Sequence, residues 1–226
     1  MNIYALSDLH LSFGTDKPMN VFGRHWDHYE DKMRENWNKV VCDDDYVLIC
    51  GDISWATYIE ESLEDFRYIE GLNGNKIISK GNHDYWWTTA AKQKEFLELH
   101  NIDKISFLHN NSYELPNGIA ICGARGWLPI AMQKNEEDRK IYDRELIRLE
   151  ISLQSAPSDA TQIIAMLHYP PDLAVMEILS RYNVGICVYG HLHGGAQKNA
   201  IYGTLDGIRY ELTSCDYLGF RPMKII

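Results

Sequence analysis

Short apolar runs that each end in Asp, Asn or His constrain this chain more than any other feature of its sequence. In the clearest case, Gly81-Asn82-His83-Asp84 follows the apolar run at residues 76–79 and sets an amide, an imidazole and a carboxylate side by side. Asn supplies a carbonyl oxygen, His can carry a proton near neutral pH, and Asp can orient that His through its other ring nitrogen. The same residue types are also common in tight turns, so the motif alone fits either role.

Four other apolar runs end in the same way. In chain order they lead to Asp8 and His10, to Asp52, to His168, and to His191 and His193. Asp8 and His10 are two residues apart, which in extended backbone points both side chains to the same side. Two prolines follow His168 at residues 170–171 and hold it in place, because they prevent further regular strand pairing. Each of these segments in isolation also fits an ordinary polar strand end.

The segments between these runs predict helices. Apolar residues recur at steps of three and four over residues 26–41, and further helices are expected at 59–72, 89–99, 136–153 and 173–182. A hairpin with its turn at residues 116–118 is expected within residues 112–122, and a period-two segment at 208–212 should close a sheet edge. Strands that alternate with helices predict an α/β protein, in which ligands bind beyond the carboxyl ends of the strands.

Length, composition and charge narrow the class of protein. A chain of 226 residues with 45% hydrophobic and 24% charged residues fits one globular domain, which we expect to span residues 1–226. The net charge of −10 argues against a broad basic surface for duplex nucleic acid, although bound divalent cations would make a local site positive. Five cysteines without close pairs indicate a reducing compartment, and no segment resembles a signal peptide or a membrane span. We therefore expect a soluble cytoplasmic protein, with attachment to a membrane surface left open.

Together the strand ends collect seven candidate metal ligands. They are Asp8, His10, Asp52, Asn82, His168, His191 and His193. Oxygen and imidazole donors without a thiolate suit Mn, Fe, Zn or Co rather than a structural zinc site of the cysteine type. Seven ligands are too many for one tetrahedral ion, and they suit two ions about 3.5–4 Å apart that share a carboxylate. The sequence therefore predicts a site for two divalent metal ions.

This series of motifs resembles that of the calcineurin-like metallophosphoesterases. The resemblance covers residues 8–193 and rests on Asp8-Leu9-His10, Gly51-Asp52, Gly81-Asn82-His83-Asp84, His168 and Gly190-His191-Leu192-His193. It implies a single-domain α/β/β/α sandwich of two mixed sheets flanked by helices, with the metal site at the carboxyl ends of the strands. It also implies that one metal is bound by Asp8, His10 and His193, that the other is bound by Asn82, His168 and His191, and that Asp52 bridges them.

The resemblance further implies a hydrolase that cleaves a phosphodiester or phosphomonoester, with a small molecule or nucleotide as substrate. A metal-bridging water or hydroxide would attack phosphorus in line with the leaving oxygen, because two cations lower the pKa of water and neutralise phosphoryl charge. His83 would stabilise the transition state or protonate the departing alkoxide, and Asp84 would hold its ring.

Two alternatives stay open at this point. A non-catalytic interaction scaffold of the same fold would be expected to have lost at least one ligand, and none is missing. A nuclease of this fold would be expected to carry an added nucleic-acid-binding domain or basic patches.

Three loops, at residues 11–25, 85–88 and 125–135, are expected to line the substrate pocket. The candidate substrate-binding residues in them are Arg24, His25, Trp86, Trp87 and Arg125. The paired Trp86 and Trp87 fit the hydrophobic core as well as they fit a pocket wall.

Overall fold

The computed structural model describes residues 1–226 and contains two mixed β-sheets. The strands of the first sheet are β1 Ile3–Ala5, β2 Tyr46–Cys50, β3 Asn75–Ser79, β4 Ile105–Phe107 and β11 Met223–Lys224. Those of the second are β5 Tyr113–Glu114, β6 Ile119–Ala124, β7 Gln162–Leu167, β8 Val184–Tyr189, β9 Gly203–Leu205 and β10 Ile208–Leu212. Their spatial orders are β11-β1-β2-β3-β4 and β5-β6-β7-β8-β10-β9. Each sheet has four parallel strands and antiparallel strands only at its edges.

Five α-helices cover the outer faces of the sheets. They are α1 Tyr29–Asn38, α2 Leu63–Glu70, α3 Ala90–Leu99, α4 Glu136–Gln154 and α5 Leu173–Arg181. Apolar residues of α1, α2 and α3 share a hydrophobic cluster with the first sheet, and those of α4 and α5 share another with the second sheet. None of these helices has the length and apolar character needed to cross a membrane.

The alternating direction of side chains along the strands explains why the two sheets stack face to face. On β2, Val47 and Ile49 pack with the helices, whereas Leu48 points into a separate cluster shared with Ile164 and Val188 of the second sheet. Successive residues of a strand point to opposite faces, so a wholly apolar strand must be covered on both sides. The four layers therefore form an α/β/β/α sandwich, as predicted.

Some predicted elements begin, end or lie elsewhere than expected. The helix expected at 26–41 is shorter, because His28 has a left-handed φ of 52° and separates α1 from a 3-10 turn at Arg24–Trp26. The segment at 208–212 does not close the edge of its sheet. A turn at Asp206-Gly207 folds β9 back onto β10, so that β10 is enclosed and β9 forms the edge.

Candidate metal centre

The seven residues predicted as ligands lie together at the carboxyl ends of parallel strands. Segments after β1, β2 and β3 supply Asp8, His10, Asp52 and Asn82, and segments after β7 and β8 supply His168, His191 and His193. The two sheets meet at this point: Asp52 Oδ2, which follows a strand of the first sheet, lies 3.5 Å from His168 Nε2, which follows a strand of the second sheet. Residues up to 185 positions apart in sequence thus form one cluster.

One group of donor atoms belongs to Asp8, His10 and His193. The Nε2 atoms of His10 and His193 lie 3.3 Å apart, and Asp8 Oδ1 lies 3.5 Å from His193 Nε2. Asp8 and His10 are buried, and His193 is partly exposed. These three residues are therefore able to hold one metal ion between them.

A second group belongs to Asn82, His168 and His191. Asn82 Oδ1 lies 2.7 Å from His168 Nε2 and 2.9 Å from His191 Nδ1, and the two imidazole nitrogens are 3.2 Å apart. The amide oxygen and both rings therefore point at a common volume.

Asp52 lies between the two groups. Its Oδ2 atom is 3.8 Å from His10 Nε2 in the first group and 3.5 Å from His168 Nε2 in the second. One oxygen atom thus faces both sets of donors, which is the placement that a carboxylate shared by two ions requires.

The spacing of the donor atoms fits metal ions. Ligands about 2.1 Å from a common ion lie about 3.0 Å apart at octahedral angles and about 3.4 Å apart at tetrahedral angles. Within the two groups the observed contacts run from 2.7 Å to 3.5 Å. All are oxygen or imidazole nitrogen atoms, so the residues present fit two divalent cations with mixed N and O ligation.

The backbone at this site is strained. Asp8, His10, Asp52 and His191 have φ values of 59°, 47°, 52° and 73°, in the left-handed region that L-residues rarely adopt. Such a conformation costs about 1–3 kcal/mol per residue and is retained where the surrounding structure enforces it. Here it turns the chain sharply just after β1, β2 and β8, so that side chains separated by few residues reach the same volume.

Two glycines of the motifs are required by close contacts. A Cβ atom on Gly81 would lie 2.1 Å from Asp52 Oδ1, and one on Gly190 would lie 2.4 Å from Asp8 Oδ2. Any side chain at either position would therefore displace a carboxylate of the site.

Hydrogen bonds on the far side of two rings select which nitrogen faces the centre. His168 Nδ1 lies 2.8 Å from the Cys50 carbonyl oxygen, and His193 Nδ1 lies 2.9 Å from Asp216 Oδ1. A ring that donates its Nδ1 proton in this way presents Nε2 as the ligand atom.

Asp216 is a site residue that the sequence analysis missed. It also accepts hydrogen bonds from the backbone N–H of Gly194 and from Gln197 Nε2, at 3.2 Å and 2.8 Å. It follows β10 as the predicted ligands follow their strands, but it lies four residues beyond the strand end. The rule that strand exits carry the site could have identified it.

Without metal ions, two of the candidate ligands have raised pKa values and therefore hold their protons more tightly. Burial, followed by the negative charge of Asp8, raises the pKa of Asp52 to about 8. Burial alone would lower the pKa of His193, but its hydrogen bonds to Asp216 and Asp8 raise that pKa to about 10. The site therefore concentrates negative charge that a divalent cation would neutralise.

His83 and Asp84 do not interact as predicted. Both oxygens of Asp84 accept other hydrogen bonds, from the backbone N–H groups of Gly81, Asp52, Ile53 and Ser54 and from the indole of Trp86. The prediction that Asp84 holds the His83 ring is wrong, because this carboxylate is fully buried and joins the loops after β2 and β3. His83 Nδ1 is buried without a hydrogen-bond partner.

A cavity of about 310 Å3 opens beside the first donor group. It is lined by His10, His83 and His193, by His25, and by the apolar residues Met19, Phe22, Trp26 and Trp55. The Trp55 ring lies 5.1 Å from that of His10 and 4.6 Å from that of His83. The substrate candidate His25 thus lines this cavity, whereas Arg24 is exposed on the same turn and does not.

The other candidate substrate residues divide between the core and a second cavity. Trp86 is only 2% exposed and packs edge-on against Phe66, so it does not contact a substrate pocket, and that prediction is wrong. The Trp86 indole is buried between α2 and β4, and its N–H group donates a hydrogen bond to Asp84. Trp87 and Arg125 line the second cavity, of about 390 Å3.

Comparisons with known proteins agree with this architecture. Residues 1–195 match the family described as calcineurin-like phosphoesterase. No curated protein matches the sequence. A protein of unknown function from Aquifex aeolicus is similar in fold, with a TM-score of 0.53 and 20% identity over 99% of this chain and 95% of that one. The phosphopantetheinyl hydrolase from Mycobacterium tuberculosis has a TM-score of 0.56 and 14% identity over 100% of this chain and 95% of that one.

Proposed function

Because this chain belongs to the calcineurin-like phosphoesterases, a family of metal-dependent phosphoester hydrolases, we propose that it hydrolyses a phosphodiester or phosphomonoester of a small molecule or nucleotide. The observation that carries the proposal is the placement of Asp52 Oδ2 between two groups of metal-binding atoms. Since both sheets supply those groups, we also infer that residues 1–226 act as one domain.

Each residue of the centre has a role in the proposal. Asp8, His10 and His193 would hold one divalent ion, Asn82, His168 and His191 would hold the other, and Asp52 would contact both. When bound, the two ions would lower the pKa of a water molecule and neutralise charge on the phosphoryl oxygens. The hydrogen bonds that the rings of His168 and His193 donate to the Cys50 carbonyl oxygen and to Asp216 would keep the ligand nitrogens pointed at the ions.

His83 is the residue proposed to act on the substrate itself. Its ring lines the cavity beside His10, with the two ring centroids 5.7 Å apart. Its backbone N–H donates to Asp52 Oδ1 at 2.8 Å, which ties its position to the proposed bridging carboxylate. The ring would donate a proton to the departing alkoxide, or a hydrogen bond to a phosphoryl oxygen, and Trp55 limits its rotation.

Metal-dependent hydrolysis of model esters tests the proposal. The full-length protein would be stripped with a chelator, reloaded with Mn²⁺, and assayed with bis(nitrophenyl) phosphate and nitrophenyl phosphate. We expect turnover only with divalent metal, best with Mn²⁺, and two ions per chain by elemental analysis. Asp52→Asn should lower turnover strongly, whereas the control Asp206→Asn, which makes the same charge change in an exposed turn, should not.

Two outcomes would contradict the proposal. Full activity in protein without residual metal would exclude a metal-dependent reaction. A protein that holds two metals but hydrolyses no monoester, diester, cyclic nucleotide or pyrophosphate would favour the non-catalytic scaffold.

A further inference from the structure

The second cavity is a cleft with an excess of cationic side chains. It lies between the segment after β3, the start of α3 and the middle of α4, and its charged and polar lining includes Lys80, Thr89, His109, Arg125, Glu145 and Arg148. Three cations thus face a single carboxylate, in a chain whose net charge is −10. The charge of the cleft is therefore opposite in sign to the net charge of the protein.

Glu145 does not account for all of these cations. Its Oε1 atom accepts from Arg148 Nη1 at 2.6 Å and from Arg125 Nη2 at 3.3 Å, and the Glu145 side chain is 2% exposed. One guanidinium is enough to pair a buried carboxylate, and each guanidinium has five N–H donors. Most donors of both arginines are therefore uncommitted.

Two further groups in the cleft lack a partner. Lys80 is half-buried, and no carboxylate lies within 4.0 Å of its ammonium group. Arg125 Nε is buried without a hydrogen-bond partner. Partly buried cations are normally paired and buried N–H groups are normally hydrogen-bonded, so the Lys80 ammonium group and Arg125 Nε both indicate that an anion belongs in this cleft.

The cleft adjoins the second donor group of the metal centre. Lys80 precedes Asn82 by two residues, which limits the distance between their Cα atoms to about 7 Å. The carbonyl oxygen of Arg125 accepts hydrogen bonds from the backbone N–H groups of His168 and Tyr169, at 2.9 Å and 3.0 Å. A molecule with its scissile phosphate at the metals could therefore extend into the cleft.

We propose that Lys80, Arg125 and Arg148 bind a second phosphate group of the substrate, so that the preferred substrates carry a phosphate in addition to the one that is cleaved. This inference rests on the proposed function. Arginine suits the role because its planar donors match two phosphate oxygens at once. Thr89 adds a hydroxyl group, and the N-terminus of α3 that it caps contributes partial positive charge.

A pair of esters that differ only in the second phosphate tests the inference. The metal-loaded, full-length protein would be assayed for phosphate release from the 3′ position of adenosine 3′-monophosphate and of adenosine 3′,5′-bisphosphate. We expect kcat/KM to be about tenfold or more higher for the bisphosphate, mainly through KM, because it gains charge-assisted hydrogen bonds. Lys80→Gln and Arg148→Gln should bring this ratio close to one. Arg139→Gln, an exposed arginine of α4 paired with Asp143, should preserve it.

Binding of inorganic phosphate separates this inference from the proposed function. Calorimetric titration of the metal-loaded protein should show a phosphate site that Arg148→Gln removes and Arg139→Gln retains. If neither adenosine ester is hydrolysed, the model esters, cyclic nucleotides and pyrophosphates are not hydrolysed either, and this site is present, then the proposed function fails and the cleft still binds phosphate. If both esters are hydrolysed equally well, whether or not free phosphate binds in the cleft, a substrate subsite is excluded and the proposed function stands.

Discussion

Asp84→Asn should destabilise the fold rather than disable acid catalysis. The Asp84 side chain has no exposed surface, and five N–H groups donate to it. Oδ2 accepts from Gly81 at 2.7 Å and Asp52 at 2.9 Å, and Oδ1 accepts from Ile53 at 2.9 Å, the Trp86 indole at 3.0 Å and Ser54 at 3.4 Å. These contacts connect the loop that carries Asp52 to the loop that carries Asn82 and His83.

The size of the effect follows from counting donors. An Asn at this position keeps one acceptor oxygen, and its amide NH2 group would face N–H donors that have no other partner. In the better orientation the oxygen keeps the three donors on the Oδ1 side, and the two on the Oδ2 side are lost. Hydrogen bonds to a charged group are worth about 1.5–3 kcal/mol each, so we expect the free energy of unfolding to fall by about 3–6 kcal/mol.

Urea denaturation of the metal-free protein measures this loss, with Asp206→Asn as the control. Because Asp84 holds the backbone of Asp52, the variant should also bind metal more weakly. Its remaining turnover should fall equally for alkyl and nitrophenyl esters, since the carboxylate does not touch His83. A free energy of unfolding within about 1 kcal/mol of the wild type, combined with a loss confined to alkyl esters, would refute this reasoning and restore the ring-holding role.

Three further predictions concern neighbouring residues. His83→Ala should retain both metals and lower turnover about 10²–10⁴-fold for alkyl esters and less for nitrophenyl esters, because a good leaving group needs less protonation. Equal losses across a series of leaving groups would assign the ring to charge stabilisation on the phosphoryl oxygens, and loss of a metal would make it a ligand. Asp216→Asn should weaken metal binding about 10–100-fold in competition with a chromogenic chelator, whereas Asp206→Asn should not; unchanged affinity would show that His193 needs no carboxylate partner. Burial raises the pKa of Asp65 to about 6, so its contribution to stability is complete below about pH 4 and is lost as the pH rises through 6. The free energy of unfolding of Asp65→Asn should therefore rise by about 2 kcal/mol relative to wild type between pH 4 and pH 7. A difference that does not change with pH would show that the pKa of this carboxyl group does not control stability in this range.

The α/β class and the gathering of the ligands could be predicted because they depend on local patterns, whereas the sandwich of two sheets was implied by the family resemblance. Apolar runs such as Tyr46–Cys50 are buried from Val47 onward, and parallel strands bring their carboxyl ends to one edge. The position of His168 opposite Asp52 follows from that rule alone, without knowledge of side-chain contacts.

What could not be predicted depends on contacts between distant segments. Adjacency in the sequence suggested that Asp84 holds His83, but the donors that saturate this carboxylate include the loop at residues 52–54. Trp86 and Trp87 are identical in type and adjacent, and only its burial against Phe66 assigns the first of them to the core. Asp216 is the exception, because it lies only four residues beyond β10 and the rule that strand exits carry the site could have included it.

The left-handed backbone at four ligands has an evolutionary consequence. Asp8, His10, Asp52 and His191 each hold a conformation that Gly adopts without cost. A substitution to Gly at these positions removes a ligand and relieves strain in the same step, by roughly 1 kcal/mol. Mutations that accumulate without selection would therefore replace these ligands and give a more stable protein that binds no metal. Only selection for activity opposes that drift, so a duplicated copy freed from selection should lose these four residues early.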